Sequence, residues 1–297
     1  MNLRIAAALL VLSVAGAARA DELTARVEAL TKKYEATVGV AAIDTVTGRE
    51  LAIRADERFP MGSVYKLPIA MALLRKSSLN QLSLDGDVTI DPKDFSPGYS
   101  PLAEDAGGKP VTEPIGMYVV QALRDSDNTA SDVILGLAGG PEGVMAYLKF
   151  LGVLNMDVSR SEKQIAADLK KQGEAAYWKD QRDTTTPHAM ALLIRMFDEK
   201  AHGLNTGSQQ FVHDMLLHTT TGAALIRAGI PAGNVILEKD GTMPGVVNDA
   251  AIITTPDERH RVVLAIFSKG WKKTPEAERD KLVAEIATMI YDEFTKY

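Results

Sequence analysis

The chain has 297 residues, of which 46% are hydrophobic and 24% are charged, and its formal net charge is −6. This length and composition supply enough apolar material for one large or two modest globular cores. The acidic balance argues against a nucleic-acid partner, which would require a basic surface. The chain contains no cysteine, which excludes disulfide bonds and thiol chemistry.

Residues 1–20 have the features of a secretory signal peptide. Arg4 precedes an apolar run over residues 5–12, and A-R-A at residues 18–20 places small residues at the offsets of a cleavage site. A membrane anchor is the alternative, but the apolar run is too short to span a bilayer comfortably. We therefore expect cleavage after Ala20, no later membrane span and a periplasmic location.

The next predicted elements are a helix and a β-hairpin. Residues 21–34 have apolar side chains at spacings of three and four, which indicates an amphipathic helix. The β-rich segments 37–43 and 50–53 flank a Thr-Gly turn, which is typical of a hairpin. Helical patterns then dominate up to about residue 203, clearest over residues 67–74, 115–123, 130–137 and 141–151.

The rest of the chain is predicted as a charged loop followed by helices, strands and a final helix. Much of 160–186 is interpreted as loop, and helices are expected over 207–217 and 222–228. Segments rich in Val and Ile predict strands. These strands and the closing helix are expected over residues 234–237, 249–255, 261–267 and 276–294.

The most economical packing of these elements places both β-rich ends of the chain in one sheet. The predicted fold class is α+β, an antiparallel sheet flanked by the N- and C-terminal helices, with an inserted all-α domain. We assign the sheet domain to residues 21–60 and 213–297 and the all-α domain to residues 61–212. The active site is expected between the two domains.

Metal binding is not indicated by the histidine pattern. The spacing of the five histidines does not match a set of metal ligands, and His213 and His218 are five residues apart, which does not align them on one helical face. We interpret His188, His202, His213, His218 and His260 as surface or partly packed residues. No metal and no cofactor are expected.

The first candidate for chemistry is the sequence Ser63-Val64-Tyr65-Lys66. The segment Phe59-Pro60-Met61-Gly62, which contains Pro and Gly, interrupts regular structure before Ser63, and an apolar helical pattern follows. Lys66 should therefore lie one turn after Ser63 on the same helical face. A serine hydroxyl becomes an effective nucleophile when a neighbouring group takes its proton. The alternative is a helix-capping serine followed by an unrelated lysine.

Two further polar motifs lie downstream. Ser126-Asp127-Asn128 separates two predicted helices, and Lys239-Asp240-Gly241-Thr242 ends a β-rich run. Taken alone, the first is typical of a helix cap and the second of a solvated turn.

Taken together, the three motifs resemble the S-x-x-K, S-D-N and K-T-G signature of class A β-lactamases and penicillin-binding proteins. Their order and approximate separation match, and the resemblance spans nearly the whole chain after residue 20. Further segments match the class A family: Tyr99-Ser100-Pro101, Gly139-Gly140-Pro141, Arg160-Ser161-Glu162, Arg182 to Pro187, Thr220-Thr221-Gly222 and Ile226 to Gly229.

The resemblance implies a periplasmic β-lactamase with Ser63 as the nucleophile that forms an acyl-enzyme. The proton of Ser63 would pass to Lys66, or through a water to Glu162, and Glu162 would activate the deacylating water. The backbone N–H groups of Ser63 and Thr242 would form the oxyanion hole. Ser126, assisted by Lys239, would protonate the leaving nitrogen.

The resemblance also implies binding and structural roles. Tyr99, Asn128, Asp240, Gly241 and Thr242 would contact the substrate, a small-molecule β-lactam. Arg160 would pair with Asp180 to hold an Ω-loop over residues 160–180. Most relatives of this size act as monomers, and we expect the same here.

One position departs from the family pattern at the substrate carboxylate. Asp240 replaces the usual Thr or Ser, and an ionised carboxylate does not donate a hydrogen bond to the substrate anion. Two like charges about 4 Å apart cost on the order of 4 kcal/mol at an effective dielectric constant near 20. Thr242, two residues further along the strand, is a candidate replacement donor.

Other departures concern the residues that hold the hydrolytic water and the arginine that binds the substrate carboxylate. Ala166 stands where the family has an asparagine that holds the water, and Gln164 is a candidate substitute. The segment from Glu162 to Asp180 is several residues longer than usual, and Lys163 replaces a common proline. No clear equivalent of the family's carboxylate-binding arginine is found, since Asn248-Asp249 stands near its place and Arg227 is expected to pack within its own helix.

Three functions therefore stay open. The first is a periplasmic β-lactamase with unusual carboxylate recognition. The second is a class A-like serine acyl-hydrolase, or a protein acylated by β-lactams with slow turnover. The third is a non-enzymatic binding or sensor module, which the presence of Ser63, Lys66, Ser126, Glu162 and Lys239 disfavours.

Overall fold

The computed structural model describes residues 22–34 and 36–296. The predicted signal peptide, residues 1–20, lies outside the described residues, so its cleavage stays a prediction. Within the described ranges, no helix is both long and apolar enough to cross a membrane.

The described chain alternates short strands and helices in its first half and ends with three long strands and a helix. In chain order the elements are α1 (residues 22–31), β1 (Thr37–Asp44), β2 (Glu50–Ile53), β3 (Phe59–Pro60), α2 (Lys66–Ser78), β4 (Asp87–Ile90), α3 (Pro101–Ala106), β5 (Val111–Pro114), α4 (Ile115–Leu123), α5 (Asn128–Ala138), α6 (Gly140–Leu151), α7 (Glu162–Gln172), α8 (Glu174–Tyr177), β6 (Thr184–Thr185), α9 (Pro187–Asp198), α10 (Thr206–Leu217), α11 (Ile226–Gly229), β7 (Val235–Met243), β8 (Val246–Thr254), β9 (Arg261–Lys269) and α12 (Glu276–Phe294).

Both β-rich ends of the chain meet in one five-stranded sheet of order β2-β1-β9-β8-β7. Every neighbouring pair is antiparallel, and β1 pairs with β9 from Thr37 opposite Lys269 to Asp44 opposite Val262. The predicted α+β fold class with an antiparallel sheet is therefore confirmed. The elements between β2 and β7, called the helical block below, lie outside this sheet. The sheet therefore forms only when strands from opposite ends of the sequence pair.

The sheet is covered on both faces because its strands are apolar on both. Val38, Val40 and Ala42 of β1 pack with α1, α11 and α12 on one face. Ala41, the alternate residue, belongs to the core on the other face, which includes α9 and the helical block. Alternation of side chains along a strand gives each face its own set of residues.

Helix α2 lies at the centre of the helical block. Its residues 66–74 are all buried, which is typical of a helix surrounded by protein on every side. It packs against α5, α6, α4 and α10. The motif at the start of α2 is therefore held by the core of the block.

The segment 160–186 differs from its prediction as a loop, because α7 and α8 occupy much of it. Ser161 begins α7 with a capping box, in which its hydroxyl accepts from Gln164 N and the Gln164 side chain accepts from Ser161 N. The Ala, Leu, Lys and Gln residues of α7 also favour helix. The prediction missed α7 because few of its residues form an apolar stripe.

Two other predictions differ in detail. Only the end of the helix predicted over 222–228 is helical, as α11, and the segment 61–212 also contains β4, β5 and β6. Residue 213 lies inside α10 rather than between elements. The division into two domains stays a prediction.

Candidate active site

Ser63 lies in a 3-10 turn, Gly62–Tyr65, that leads directly into α2. The side chain is half-buried and lines a cleft of about 530 Å³. Tyr99, Ser126 and Thr242 line the same cleft. Ser63 is therefore accessible at the junction of α2, β7 and the loop before α5.

The turn that carries Ser63 is fixed by contacts on both sides. Met61 N donates to Asp183 O at 3.0 Å, and Asn248 Nδ2 donates to Pro60 O at 2.8 Å and Met61 O at 2.9 Å. Asn248 lies on β8 and Asp183 lies beyond α8. The backbone ahead of the nucleophile is thus held by the sheet and by the segment that follows the α7–α8 region.

Gly241 allows β7 to approach the nucleophile closely. A Cβ atom at this position would lie 2.6 Å from Met61 O and 2.8 Å from Ser63 N, distances that a side chain does not tolerate. The next residue, Thr242, is exposed on the cleft. The end of β7 therefore runs directly beside the backbone of Ser63, and the oxyanion pair of Ser63 N and Thr242 N stays a prediction.

Lys66 is fully buried beneath the cleft and contacts three groups. Its Nζ donates to Ser126 O at 2.5 Å and to Asn128 Oδ1 at 2.7 Å, and lies 3.2 Å from Glu162 Oε1. Burial lowers the pKa of Lys66; Glu162 opposes this and the charge of Lys239 adds to it. A lysine with a lowered pKa is better suited to accept a proton.

Ser126 bridges the two buried lysines. Its backbone is in the left-handed region at φ +59°, its O accepts from Lys66, and its Oγ accepts from Lys239 Nζ at 3.1 Å. Lys239 is fully buried on β7. The geometry allows Ser126 to pass a proton at the cleft while Lys239 supports its hydroxyl.

The other residues of this motif have separate tasks. Asp127 caps α5 by accepting from Ala130 N at 2.8 Å, so the cap interpretation holds for this residue. Asn128 accepts from Lys66 and donates Nδ2 to Pro97 O at 3.0 Å. Tyr99 is 54% exposed, as expected for a residue at the cleft rim.

Glu162 begins α7 and is buried beside Lys66. Its backbone N donates to Asp132 Oδ1 at 2.7 Å, which ties the start of α7 to α5. Burial raises the pKa of Glu162, Lys66 opposes this, and the nearby Asp132 charge raises the pKa further. A carboxylate with a raised pKa next to a lysine with a lowered pKa is the pattern of a general base.

Tyr65, beside Glu162, and its neighbour Ser131 carry buried hydroxyl groups. Within the described ranges neither hydroxyl makes a hydrogen bond of ordinary geometry, but Tyr65 Oη is near enough to Glu162 to stabilise the ionised carboxylate. Burial raises the pKa of Tyr65, and the charge of Glu162 raises it further, which places Tyr65 in the electrostatic environment of the base. Leaving a buried hydroxyl group without a well-formed hydrogen bond costs free energy, and a catalytic role is one reason why a protein keeps such a group.

Arg160 holds the α7–α8 region through three carboxylates. The predicted partner Asp180 lies 3.1 Å from Arg160 Nη1, but Asp183 Oδ2 is nearer, at 2.6 Å from Nε. Asp168 makes the third contact at 2.7 Å. Asp183 also accepts from the backbone N of Ser159 and of Arg160. Asp183 is therefore the principal partner, a role the sequence prediction gave to Asp180 alone.

Gln164 does not replace the asparagine missing at Ala166. The Gln164 side chain is exposed and its Oε1 accepts from Ser161 N at 2.9 Å as part of the helix cap. Ala166 itself supplies no hydrogen-bonding side chain. The expectation that Gln164 holds the water is therefore wrong, because the capping box turns it away from Glu162.

Asp240 takes part in the site as a charged residue. Its Oδ1 lies 3.1 Å from Lys239 Nζ and accepts from Thr221 Oγ1 at 2.5 Å. Burial by itself raises the pKa of Asp240, but the charge of Lys239 and the Thr221 hydrogen bond outweigh it and hold the pKa below its usual value. Asp240 is therefore ionised in the cleft.

The segments considered for a substrate-binding cation have structural roles. Asn248 is buried and holds the turn before Ser63, and Asp249 accepts from Ile226 N at 3.0 Å. Arg227 Nε lies 2.6 Å from Glu238 Oε1, so it pairs with β7 rather than only packing within its own helix. Within residues 22–34 and 36–296, no three His, Cys, Asp or Glu side chains are arranged to hold a metal.

Some residues of the site were missed by the sequence prediction. Asp132 follows Asn128 by four residues, so helical spacing from the S-D-N motif indicates the same face. Asp183 lies in a segment that matched the family. Thr221, Glu276 and Asp280 are brought to the cleft only by tertiary packing.

The accessible serine, the two buried lysines that meet at Ser126 and the buried Glu162 define a serine acyl-transfer enzyme. A family model described as "Beta-lactamase enzyme family" matches residues 22–294. The β-lactamase of Bacillus amyloliquefaciens is 35% identical over 270 residues, 89% of this chain and 81% of that protein. The chain therefore belongs to the β-lactamase enzyme family.

Solved structures give the same relationship. An ancestral (GNCA) class A β-lactamase is 32% identical, with a TM-score of 0.81 over 92% of this chain and 100% of that chain. A β-lactamase from Chitinophaga pinensis DSM 2588 is 27% identical, with a TM-score of 0.82 over 92% of this chain and 99% of that chain. The fold is that of the class A enzymes, which confirms the family resemblance.

Proposed function

We propose that the protein is a periplasmic serine β-lactamase that opens the β-lactam amide through an acyl-enzyme on Ser63. The observation that carries the proposal is the meeting of two buried ammonium groups at Ser126, beside the cleft that exposes Ser63. One ammonium group, Lys66, also contacts Glu162. The site therefore holds a nucleophile, a proton donor for the leaving group and a base for water.

Acylation begins when Ser63 Oγ attacks the lactam carbonyl carbon. In one path Lys66 first gives a proton to Glu162, 3.2 Å away, and its neutral amine then takes the proton of Ser63; in the other, the proton passes through a water to ionised Glu162. The lowered pKa of the buried Lys66 favours the first path. The N–H groups of Ser63 and Thr242 stabilise the oxyanion, which is usually the largest electrostatic contribution to such reactions.

The tetrahedral intermediate then collapses and the amide C–N bond breaks. Ser126 Oγ donates its proton to the departing nitrogen, and the hydrogen bond from Lys239 Nζ at 3.1 Å stabilises the serine oxygen as it does so. The Lys66 ammonium group, which donates to the backbone O of Ser126, lies beside this residue and returns a proton to Ser126 Oγ. Lys66 then recovers the proton held by Glu162. The product of this stage is an ester on Ser63 and a free amine.

Deacylation consumes one water. Glu162 takes a proton from the water, and the hydroxide attacks the Ser63 ester. Glu162 returns this proton to Ser63 Oγ as the ester C–O bond breaks, which releases a carboxylic acid and regenerates both the serine and the base. The contact of Glu162 with Lys66 and the hydrogen bond from its backbone N to Asp132 support this role. Asn128, Tyr99 and Gly241 position the acyl group, and Arg160 with Asp180 and Asp183 holds the loop.

The proposal includes location, assembly and organisation. It takes the segment before residue 21 as a cleaved signal, the enzyme as a monomer in the periplasm, and the cleft as the boundary between a sheet domain and a helical domain. The position of the cleft between β7 and the helical block supports the division into two domains.

The proposal is tested with purified protein, a penicillin and a chromogenic cephalosporin, following turnover and intact mass together. We expect turnover, and we expect Ser63→Ala to abolish both turnover and the acyl adduct. Ser83→Ala, which changes an exposed serine, is the matched control. Turnover that persists in Ser63→Ala, or no adduct and no turnover in the wild type, contradicts the proposal.

A second candidate function is a slow β-lactam-acylated hydrolase. Ala166 favours it, because this position offers no amide to hold the deacylating water. In the same experiment this function gives a lasting adduct on Ser63 with little turnover.

A further inference from the structure

One end of the active-site cleft is acidic. Asp240, Glu276 and Asp280 line the cleft together with Ser63, and its lining residues within the described part of the chain include no lysine or arginine. The two acids of α12 come from the end of the chain, whereas Asp240 lies on β7. A substrate bound to Ser63 therefore extends toward three carboxylates.

Asp240 occupies the donors that a substrate anion would need. Thr221 Oγ1 donates to Asp240 Oδ1 at 2.5 Å, and Lys239 Nζ contacts the same oxygen at 3.1 Å. Lys239 also donates to Ser126 Oγ and Asp240 O. The hydroxyl and the ammonium group at this end of the cleft are thus already paired within the protein.

Asp240 is also held in place, with one oxygen left over. A Cβ at Gly222 would lie 2.9 Å from Asp240 Cβ, so the loop before α11 packs directly on this side chain. Asp240 is only 8% exposed, yet it lines the cleft. Within the described ranges its Oδ2 accepts no hydrogen bond, so an acceptor atom of a buried carboxylate remains for a ligand.

We propose that this cleft selects acyl donors that present an uncharged hydrogen-bond donor, such as a primary carboxamide, to Asp240 where other substrates present a carboxylate. The proposal rests on the proposed function, since the bond broken and the role of Ser63 are the same. A carboxamide N–H donates to Asp240 Oδ2 and adds no charge near Glu276 and Asp280. A carboxylate at the same place meets like charges and paired donors.

The experiment compares benzylpenicillin with its carboxamide, which differs only in that group. We expect the wild-type kcat/KM to be about tenfold or more higher for the carboxamide, since one lost hydrogen bond or one repelled charge changes a rate by roughly this factor. Asp240→Thr should reverse the preference and raise kcat/KM for benzylpenicillin by about 100-fold. Asp240→Asn, which keeps the shape of the side chain, should also lower the ratio of kcat/KM for the carboxamide to kcat/KM for benzylpenicillin.

The acids of α12 provide a second comparison. Asp280→Asn and Glu276→Gln should each move the ratio of kcat/KM values toward benzylpenicillin by a smaller factor, about two- to fivefold, because both side chains are more exposed than Asp240 and solvent screens their charges. Glu278→Gln is the matched control, since Glu278 lies on α12 but lines another hollow. Its ratio should equal that of the wild type.

The outcomes separate this inference from the proposed function. Ser63-dependent turnover with the same preference for benzylpenicillin in wild type and Asp240→Thr overturns the inference and leaves the proposed function standing. No turnover and no adduct with either compound, in wild type and Asp240→Thr alike, overturns both. A ratio that changes equally in Glu278→Gln also overturns the inference.

Discussion

Lys66 Nζ lies 3.2 Å from Glu162 Oε1, and both side chains are buried. Burial lowers the pKa of the lysine and raises the pKa of the glutamate. Burial causes both shifts because it disfavours both charged forms, and the pairing of the two groups opposes it. Each shift brings the pKa of its group closer to neutral pH, where proton transfer between the two groups and the substrate is efficient. In the proposed mechanism, this pair serves both acylation and deacylation from one place, next to Ser126.

Glu162→Gln should trap the acyl-enzyme. The amide keeps the size of the side chain but does not take a proton from water, so the deacylation rate constant should fall by about 10²–10⁴-fold while acylation through Lys66 continues. Intact mass after mixing with a penicillin measures the adduct. Glu174→Gln, an exposed acid on α8, should behave as wild type, and unchanged turnover in Glu162→Gln would remove Glu162 from its assigned role.

Tyr65→Phe should move the acid limb of the deacylation profile to higher pH. The Tyr65 hydroxyl stabilises ionised Glu162 and so lowers the pKa of this carboxyl, against the larger effect of burial. Without the hydroxyl the Glu162 pKa rises, so the base is lost at a higher pH. The measurement is the deacylation rate constant against pH.

The control for this prediction is Tyr147→Phe. Tyr147 is a buried tyrosine whose Oη donates to His202 O at 2.9 Å, away from Glu162. Its substitution should leave the acid limb in place even where it lowers stability. An acid limb of Tyr65→Phe at the wild-type pH or below it would contradict the prediction.

Asp183→Asn should destabilise the protein more than Asp180→Asn. Asp183 is 2% exposed and pairs with Arg160 while accepting two backbone N–H groups, so its replacement leaves buried charge and donors poorly paired. We expect a loss of about 3 kcal/mol in the free energy of unfolding for Asp183→Asn and about 1 kcal/mol for Asp180→Asn. Urea denaturation of both variants measures these losses. Equal losses would contradict the assignment of Asp183 as the principal partner of Arg160.

The free energy of unfolding should decrease between about pH 4.5 and 6 because of Glu238. Burial raises the pKa of Glu238 to about 6, with Arg227 opposing. A group whose pKa is raised on folding stabilises the folded state below its unfolded pKa of 4.5, and this stabilisation is lost as pH rises through the folded value. The change corresponds to about 2 kcal/mol.

Glu238→Gln tests this sign. Glutamine does not titrate, so the decrease in unfolding free energy over this pH range should be smaller by about 2 kcal/mol. Burial raises the pKa of Asp249 well above its usual range, so Asp249 should cause a further decrease in the unfolding free energy at higher pH in both proteins. A steeper decrease in Glu238→Gln would show that the sign is wrong.

The α7 region illustrates where local sequence patterns were insufficient. Helix α7 is predominantly polar, so its apolar spacing did not predict a helix, although the capping box at Ser161 and Gln164 was present in the sequence. Its position depends on Asp132 and Arg160, whose contacts cross between elements. The lesson is that a cap motif predicts a helix start even where the apolar stripe is weak.

The sequence alone determined the order of the motifs and the antiparallel α+β fold, and it predicted Ser63 as the nucleophile, because residue type, short-range spacing and the family resemblance carry that information. Only the tertiary structure decided which carboxylate pairs with Arg160, how Gln164 is used and which acids line the cleft. Lys239 meets Ser126 across 113 residues of sequence, and Asp240 meets Thr221 across 19. Contacts of this kind follow from how sheet and helices pack, and local periodicity does not encode them.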